Sequence, residues 1–110
     1  MQIVKQKDIV VHSGHGNSVV DEFFLCNKII DLCVIHINGR CPDKGKIINS
    51  NFSCVCYVLS GQGEVCGNEI SKGDVFNILS GEPYWFDGEF SVVMSGTPAF
   101  DPAQSKVIDV

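Results

Sequence analysis

The chain is written in short apolar runs separated by turn residues. β-Branched, aromatic and thiol side chains concentrate in segments 29–37, 53–59, 63–66, 75–79, 84–86 and 90–94. Runs of this length and composition, bounded by glycine, proline, asparagine and aspartate, read as strands. The punctuation is dense: Ser13-Gly14-His15-Gly16-Asn17, Asn38-Gly39, Pro42-Asp43-Lys44-Gly45, Ser60-Gly61-Gln62-Gly63, Cys66-Gly67-Asn68, Lys72-Gly73-Asp74, Ser80-Gly81-Glu82-Pro83, Asp87-Gly88 and Ser95-Gly96-Thr97-Pro98. Asn-Gly and Asp-Gly pairs accept the positive φ that tight hairpins require. Helical periodicity is weak. Only segment 19–26 admits a helical turn or two, and Phe23, Phe24 and Leu25 equally suit the start of a strand. Pro98 and Pro102 keep the stretch 98–104 out of regular structure. Many short strands with glycine-rich turns, in 110 residues without a repeat or linker, predict one all-β domain, a sandwich or barrel.

Composition narrows the function classes. Apolar residues at 45% against charged ones at 19% give enough material for a core and argue against disorder. No run approaches the roughly 18 apolar residues of a membrane-spanning helix. Lys5, Lys7 and Asp8 interrupt the apolar start, so a signal-peptide core is not expected and the chain reads as cytoplasmic. A net charge of -5 with no basic block makes a poor nucleic-acid binder.

Six cysteines, Cys26, Cys33, Cys41, Cys54, Cys56 and Cys66, are an even count in a short chain and raise the question of disulfides. The cytoplasmic reading and their apolar strand neighbours favour reduced, buried thiols. No Cys-x-x-Cys occurs, and Cys54-Val55-Cys56 is an isolated pair. A soft metal or redox role for Cys54 and Cys56 is the minor alternative.

The segment 56–86, CYVLSGQGEVCGNEISKGDVFNILSGEPYWF, resembles the core of the cupin superfamily of small jelly-roll β-barrels. Its Tyr57-Val58-Leu59-Ser60-Gly61-Gln62-Gly63, the tip Gly67-Asn68, the turn Gly73-Asp74 and Gly81-Glu82-Pro83 follow that family's order of strand and turn. The resemblance extends loosely over residues 29–98, leaving the N-terminal strand and C-terminal tail peripheral. It implies a single cupin-like jelly-roll β-barrel over residues 1–110. In a barrel of this kind Gly61 and Gly63 let a hairpin leave sharply.

Metal-binding members carry a His-x-His pair, a Glu and a later His. By register, the Glu position falls on Cys54 and the final His on Tyr84. The His pair falls at Ile47 and Asn49, or at Ile48 and Ser50; counting from Gly39 instead gives Gly45 and Ile47. None of these is a histidine, so the resemblance brings no metal with it. Asn49, Asn51, Cys54, Cys56, Tyr84, Phe86 and His36 are the candidate lining of the lumen. His36 also suits a satisfied structural role on the face it shares with Leu32 and Val34. His12 and His15 read as exposed turn residues. Glu82 and Asp87 bracket Tyr84-Trp85-Phe86, an aromatic platform for a ring-shaped ligand or a core and dimer contact.

The expected function is a metal-free small-molecule-binding barrel, with a carbohydrate derivative as the ligand class. The alternatives are a metal-independent sugar isomerase or epimerase, an enzyme with a thiolate-bound metal, and a structural protein with a closed lumen. Exposed sheet edges in so small a jelly roll point to a homodimer, with segment 2–11 as its extra strand.

Overall fold

The computed structural model describes residues 1–109. Nine strands form: β1 Val10–Ser13, β2 Ser18–Glu22, β3 Asp31–Asn38, β4 Lys46–Asn49, β5 Ser53–Val65, β6 Asn68–Ser71, β7 Val75–Ile78, β8 Phe86–Thr97 and β9 Ser105–Ile108. The larger sheet runs β1-β2-β3-β8-β5-β6, with β7 also paired to β5, and every pairing is antiparallel. A two-stranded sheet, β4-β9, faces it. Single bridges Ile47–Tyr84 and Cys41–Phe86 tie the two layers together.

Period-two alternation selects the inner face. Along β5, Cys54, Cys56 and Val58 are buried while Val55, Tyr57 and Leu59 are exposed. Along β8, Phe90, Val92 and Met94 turn inward beside Phe86. Cross-strand register carries these positions into rows. One runs Glu22–Cys33–Met94–Cys56–Phe76, and the next runs His12–Val20–Ile35–Val92–Val58. Such rows are the packing units of a sheet.

Several turns form where the sequence places them. The β5–β6 hairpin closes on Cys66 and Gly67 between the paired Val65 and Asn68. Both loop residues have positive φ, +49° and +78°, as a two-residue type I′ loop demands. Asp74 accepts a 2.8 Å hydrogen bond from the Ser71 amide, closing its own turn.

Two glycine motifs behave differently. Ser60–Gly63 is not a turn: β5 continues through it, with a bulge between Val58 and Ser60. Asp87-Gly88 likewise lies inside β8. Here the glycines let two long strands bend across each other. A Cβ on Gly61, at φ +80°, would collide with the Glu89 carbonyl, and one on Gly88 would fall 2.6 Å from the Gly63 Cα. Segment 19–26 forms no helical turn: residues up to Glu22 belong to β2, which pairs with β3, and Phe23, Phe24 and Leu25 lie beyond its end and start no strand. Of segment 2–11, only Val10 and Val11 are in a strand, and both pair within the chain. Gln2 folds back so that its side chain bonds the Phe24 carbonyl and the Cys26 amide. The strand at 105–108, not signalled by the sequence pattern, is held by pairing with β4.

Candidate functional site

The inner surface is not uniformly filled. A cavity of about 450 Å³ opens between the β1-β2-β3 end of the large sheet and the β4-β9 layer. Its floor is apolar: Ile35, Ile47, Phe52, Phe86 and Met94. Polar groups converge on it from two sides. His12, His15, Glu22 and Asp31 come from the N-terminal strands and their turn, and Asn49 and Tyr84 rise from the β4 side.

Each group is positioned by a local cause. His12 and Glu22 occupy inner positions of their strands by alternation. The His15 carbonyl is clasped by the Ser18 hydroxyl at 2.6 Å and by the Cys41 thiol at 2.9 Å, which fixes the turn at the rim. Asp31 accepts from the Leu32 amide at 2.8 Å and the Phe100 amide at 3.0 Å, docking the C-terminal segment against the mouth. Glu22 has no hydrogen-bond partner among the described residues. Burial, then the neighbouring Asp31 charge, push its carboxyl above the usual value of 4.5, with His12 opposing. Burial also drives the Cys33 thiol up to about 12, assisted by Glu22 and Asp31, so it lines the cavity as a neutral thiol.

On the far side, Asn49 donates from Nδ2 to the Tyr84 hydroxyl at 3.3 Å and accepts from Gln104 at Oδ1, 3.4 Å. Both residues are buried, and burial pushes the Tyr84 phenol above its ordinary range. The phenol therefore stays protonated and remains a donor.

The residues singled out from the sequence divide sharply. Asn49, Tyr84 and Phe86 line the cavity. Cys54 and Cys56 face inward but lie in the packed wall, outside the cavity lining. The two thiols are neighbours on one face of β5 and shift each other's acidity in opposite directions. Cys56 is held protonated by the adjacent Cys54 and by burial, and Cys54 is the more acidic partner. Asn51 is an exposed turn residue, not a lumen residue; its amide donates to Gln104 Oε1 at 3.0 Å. His36 is also outside the lumen. It sits on the outer face of β3, bonded to Ser91 Oγ at 2.7 Å and Asp21 Oδ2 at 2.9 Å, the satisfied structural position its alternation allows. The aromatic platform is split by alternation: Tyr84 and Phe86 point in, whereas Trp85 lies under the Arg40 guanidinium at 5.0 Å. Glu82 is occupied in its own turn, accepting from the Leu79 amide.

His12 and His15 stand at the cavity rim, and Glu22, Asp31 and Cys33 join them. These last three carried no motif. The only available signal was their strand parity, which means little until a strand's inner face is known.

The same parity narrows the metal positions but does not separate 45/47 from 47/49. Ile47 and Asn49 are buried and point inward, while Ser50 is exposed. Of the places the resemblance assigns to metal ligands, those that face inward hold Ile47, Asn49, Cys54 and Tyr84. An aliphatic chain, a neutral amide, a soft thiol and a protonated phenol do not suit a hard divalent ion. Among the described residues no group of three His, Cys, Asp or Glu side chains has metal-binding geometry. All six cysteines are free.

No family model and no curated protein sequence matches the chain. Solved structures do. The Streptomyces nucleoside dehydratase Pac13 superposes with a TM-score of 0.84 at 12% identity, covering 99% of this chain and 92% of its own. Variants of Pac13 have been solved with uridine. An RmlC-like cupin from Shewanella frigidimarina gives 0.74 at 15% identity, over 94% of this chain and 96% of that one. The polyketide cyclase RemF from Streptomyces resistomycificus gives 0.73 at 16% identity, over 100% and 87%. Likenesses at this identity establish architecture, and with the strand order and open lumen described above they assign this chain the cupin fold.

Proposed function

We propose that the chain is a metal-free small-molecule-binding barrel whose ligand, a nucleoside or sugar derivative, occupies the cavity above Tyr84. The observation that carries this reading is the cavity itself: about 450 Å³, with an apolar floor and polar groups converging from opposite walls. Small-molecule pockets have this size and this mixture. A barrel with a purely structural role has no need to leave such a space unfilled. The likeness to a dehydratase solved with uridine supports the ligand class. A thermal-shift screen of nucleosides and sugar derivatives tests the proposal, since a ligand bound only by the folded state stabilises it by about 2.7 kcal/mol at a hundredfold excess over Kd. The absence of any ligand-dependent rise in Tm would remove it.

Proton-transfer catalysis is the second reading, of the isomerase, epimerase or dehydratase kind. It is supported by His12 and Glu22 lining one side of the cavity while the protonated Tyr84 lines the other. Such reactions need a base and an acid flanking the substrate. Exchange of a ligand C–H with deuterated water, present in the wild type and lost in His12→Gln, is the expected signature. Exchange that survives in His12→Gln argues against His12 as the base.

Assembly as a homodimer completes the reading. The outer face of the large sheet exposes Val11, Val55, Tyr57 and Val75, an apolar surface of the kind that pairing between copies covers. Light scattering at micromolar concentration should return twice the chain mass. A stable monomer excludes the dimer.

A further inference from the structure

Apart from its two imidazoles, the ionisable groups around the cavity are acidic. Glu22, Asp31, His12 and His15 line it, and no lysine or arginine does. Among the described residues no lysine or arginine pairs with either cavity carboxylate, and the only basic groups near them are the imidazoles of the cavity rim. Two backbone amides of the rim turn are already committed: Gly14 donates to Ser18 and Asn17 to Arg40. An anionic ligand therefore meets two carboxylates without a compensating guanidinium or ammonium.

A second, independent observation lies across the cavity. Tyr84 is 6% exposed, its hydroxyl accepts from Asn49, and its own proton meets no acceptor among the described residues. That leaves a buried hydroxyl proton on the cavity lining, across from Glu22, whose carboxylate is unpartnered, and Asp31, whose two oxygens each accept one backbone amide.

Building on the cavity as the ligand site, we propose that it selects by charge. It takes an uncharged or cationic polar molecule that offers N–H or O–H groups to Glu22 and Asp31 and an acceptor to the Tyr84 hydroxyl, and it excludes phosphorylated and carboxylate-bearing molecules. The ligand is thus the free nucleoside, sugar or amine rather than its phosphate or acid. Burial strengthens the discrimination, because a like charge brought into a partly desolvated mouth is screened less than one at an open surface.

The test uses matched series that differ only in charge: uridine, 5′-amino-5′-deoxyuridine and uridine 5′-monophosphate; glucose, glucosamine and glucuronate; benzyl alcohol, benzylamine and benzoate. Binding is read by NMR titration of the cavity resonances, with Kd values at low and at physiological salt. In a series that binds, the anionic member should be weaker by about tenfold or more, a gap that narrows as salt rises. Glu22→Gln combined with Asp31→Asn should close the gap to within about threefold, with Glu22→Gln alone giving a partial closure should the double variant not fold. An anion bound as tightly as its neutral partner overturns the charge selection while leaving the pocket reading intact. So does a gap that neither salt nor Glu22→Gln reduces, since size rather than charge then sets it. Silence from all three series overturns the pocket reading, and this inference with it.

Discussion

The two ends of one row of side chains behave oppositely. Glu22, Cys33, Met94, Cys56 and Phe76 are consecutive partners across the large sheet. At the β5 end the row is sealed: Cys56 is 0% exposed, and Val58 and Val92 in the neighbouring row are equally buried. At the β2 end the same pleat opens onto the cavity. Strand chemistry does not separate the two, because both ends alternate in the same way. The difference is what stands opposite. Phe86 packs edge-on against Phe76 and Phe90 and tilts against Tyr84, with ring centroids 5.4–6.0 Å apart, and fills the first end. The second end faces the short β4-β9 layer, which offers Ile47, Asn49 and Ser105 and leaves space. The lumen is therefore open or shut along a single row, according to the side-chain volume that stands opposite.

The most damaging way to break this division is Phe86→Ala. Phe86 is 1% exposed at the centre of the aromatic cluster, and its truncation should cost about 3–5 kcal/mol in urea denaturation. A loss under about 1 kcal/mol would mean that the closed end is not the stabilising one. Val20→Phe makes the converse change, adding volume at the open end. Its stability should fall by less than about 1.5 kcal/mol, because the cavity accepts the ring, while any ligand-induced rise in Tm disappears. A retained ligand response would place the binding site elsewhere.

Glu22→Gln sharpens the comparison through pH. The Glu22 carboxyl is raised in the folded state, so its contribution to stability is fully present below 4.5 and is lost as pH rises through the folded value. The variant should lack that decline and be at least as stable as the wild type at pH 7. Parallel stability–pH curves for the two proteins would show that Glu22 is not held in a desolvated site. The smallest effect is expected on the outer face. His36→Ala removes a half-exposed ion pair and should change stability by no more than about 1 kcal/mol, with ligand binding at the cavity unaltered.

Much of the frame was legible because it depends on local chemistry. The Cys66-Gly67 hairpin, the Gly73-Asp74 turn and the alternation of Cys54, Cys56 and Val58 each follow from a few adjacent residues. The site was less legible for an instructive reason. The recognisable motif led to Tyr84 and Phe86, which line the cavity, and to Cys54 and Cys56, which sit in the closed wall, whereas the other half of the cavity comes from strands β1 to β3, which carry no motif. Glycines in 60–63 and 87–88 were ambiguous too. A glycine that bends a long strand and one that closes a turn look alike until the crossing strand is known.

What the sequence by itself determined is the all-β jelly-roll frame and hairpins such as the one at Cys66-Gly67, since each rests on residue identity or on a period of two. Only the tertiary structure decided which face of β3 looks inward. Both faces are apolar, Leu32 and Val34 on one and Cys33, Ile35 and Ile37 on the other, so alternation offers no preference. Pairing with β2 and β8 resolved it, sending His36 out to Asp21 and Ser91 and bringing Cys33 to the cavity. That choice depends on contacts between residues tens of positions apart, and the open lumen, with its acidic groups, depends on it.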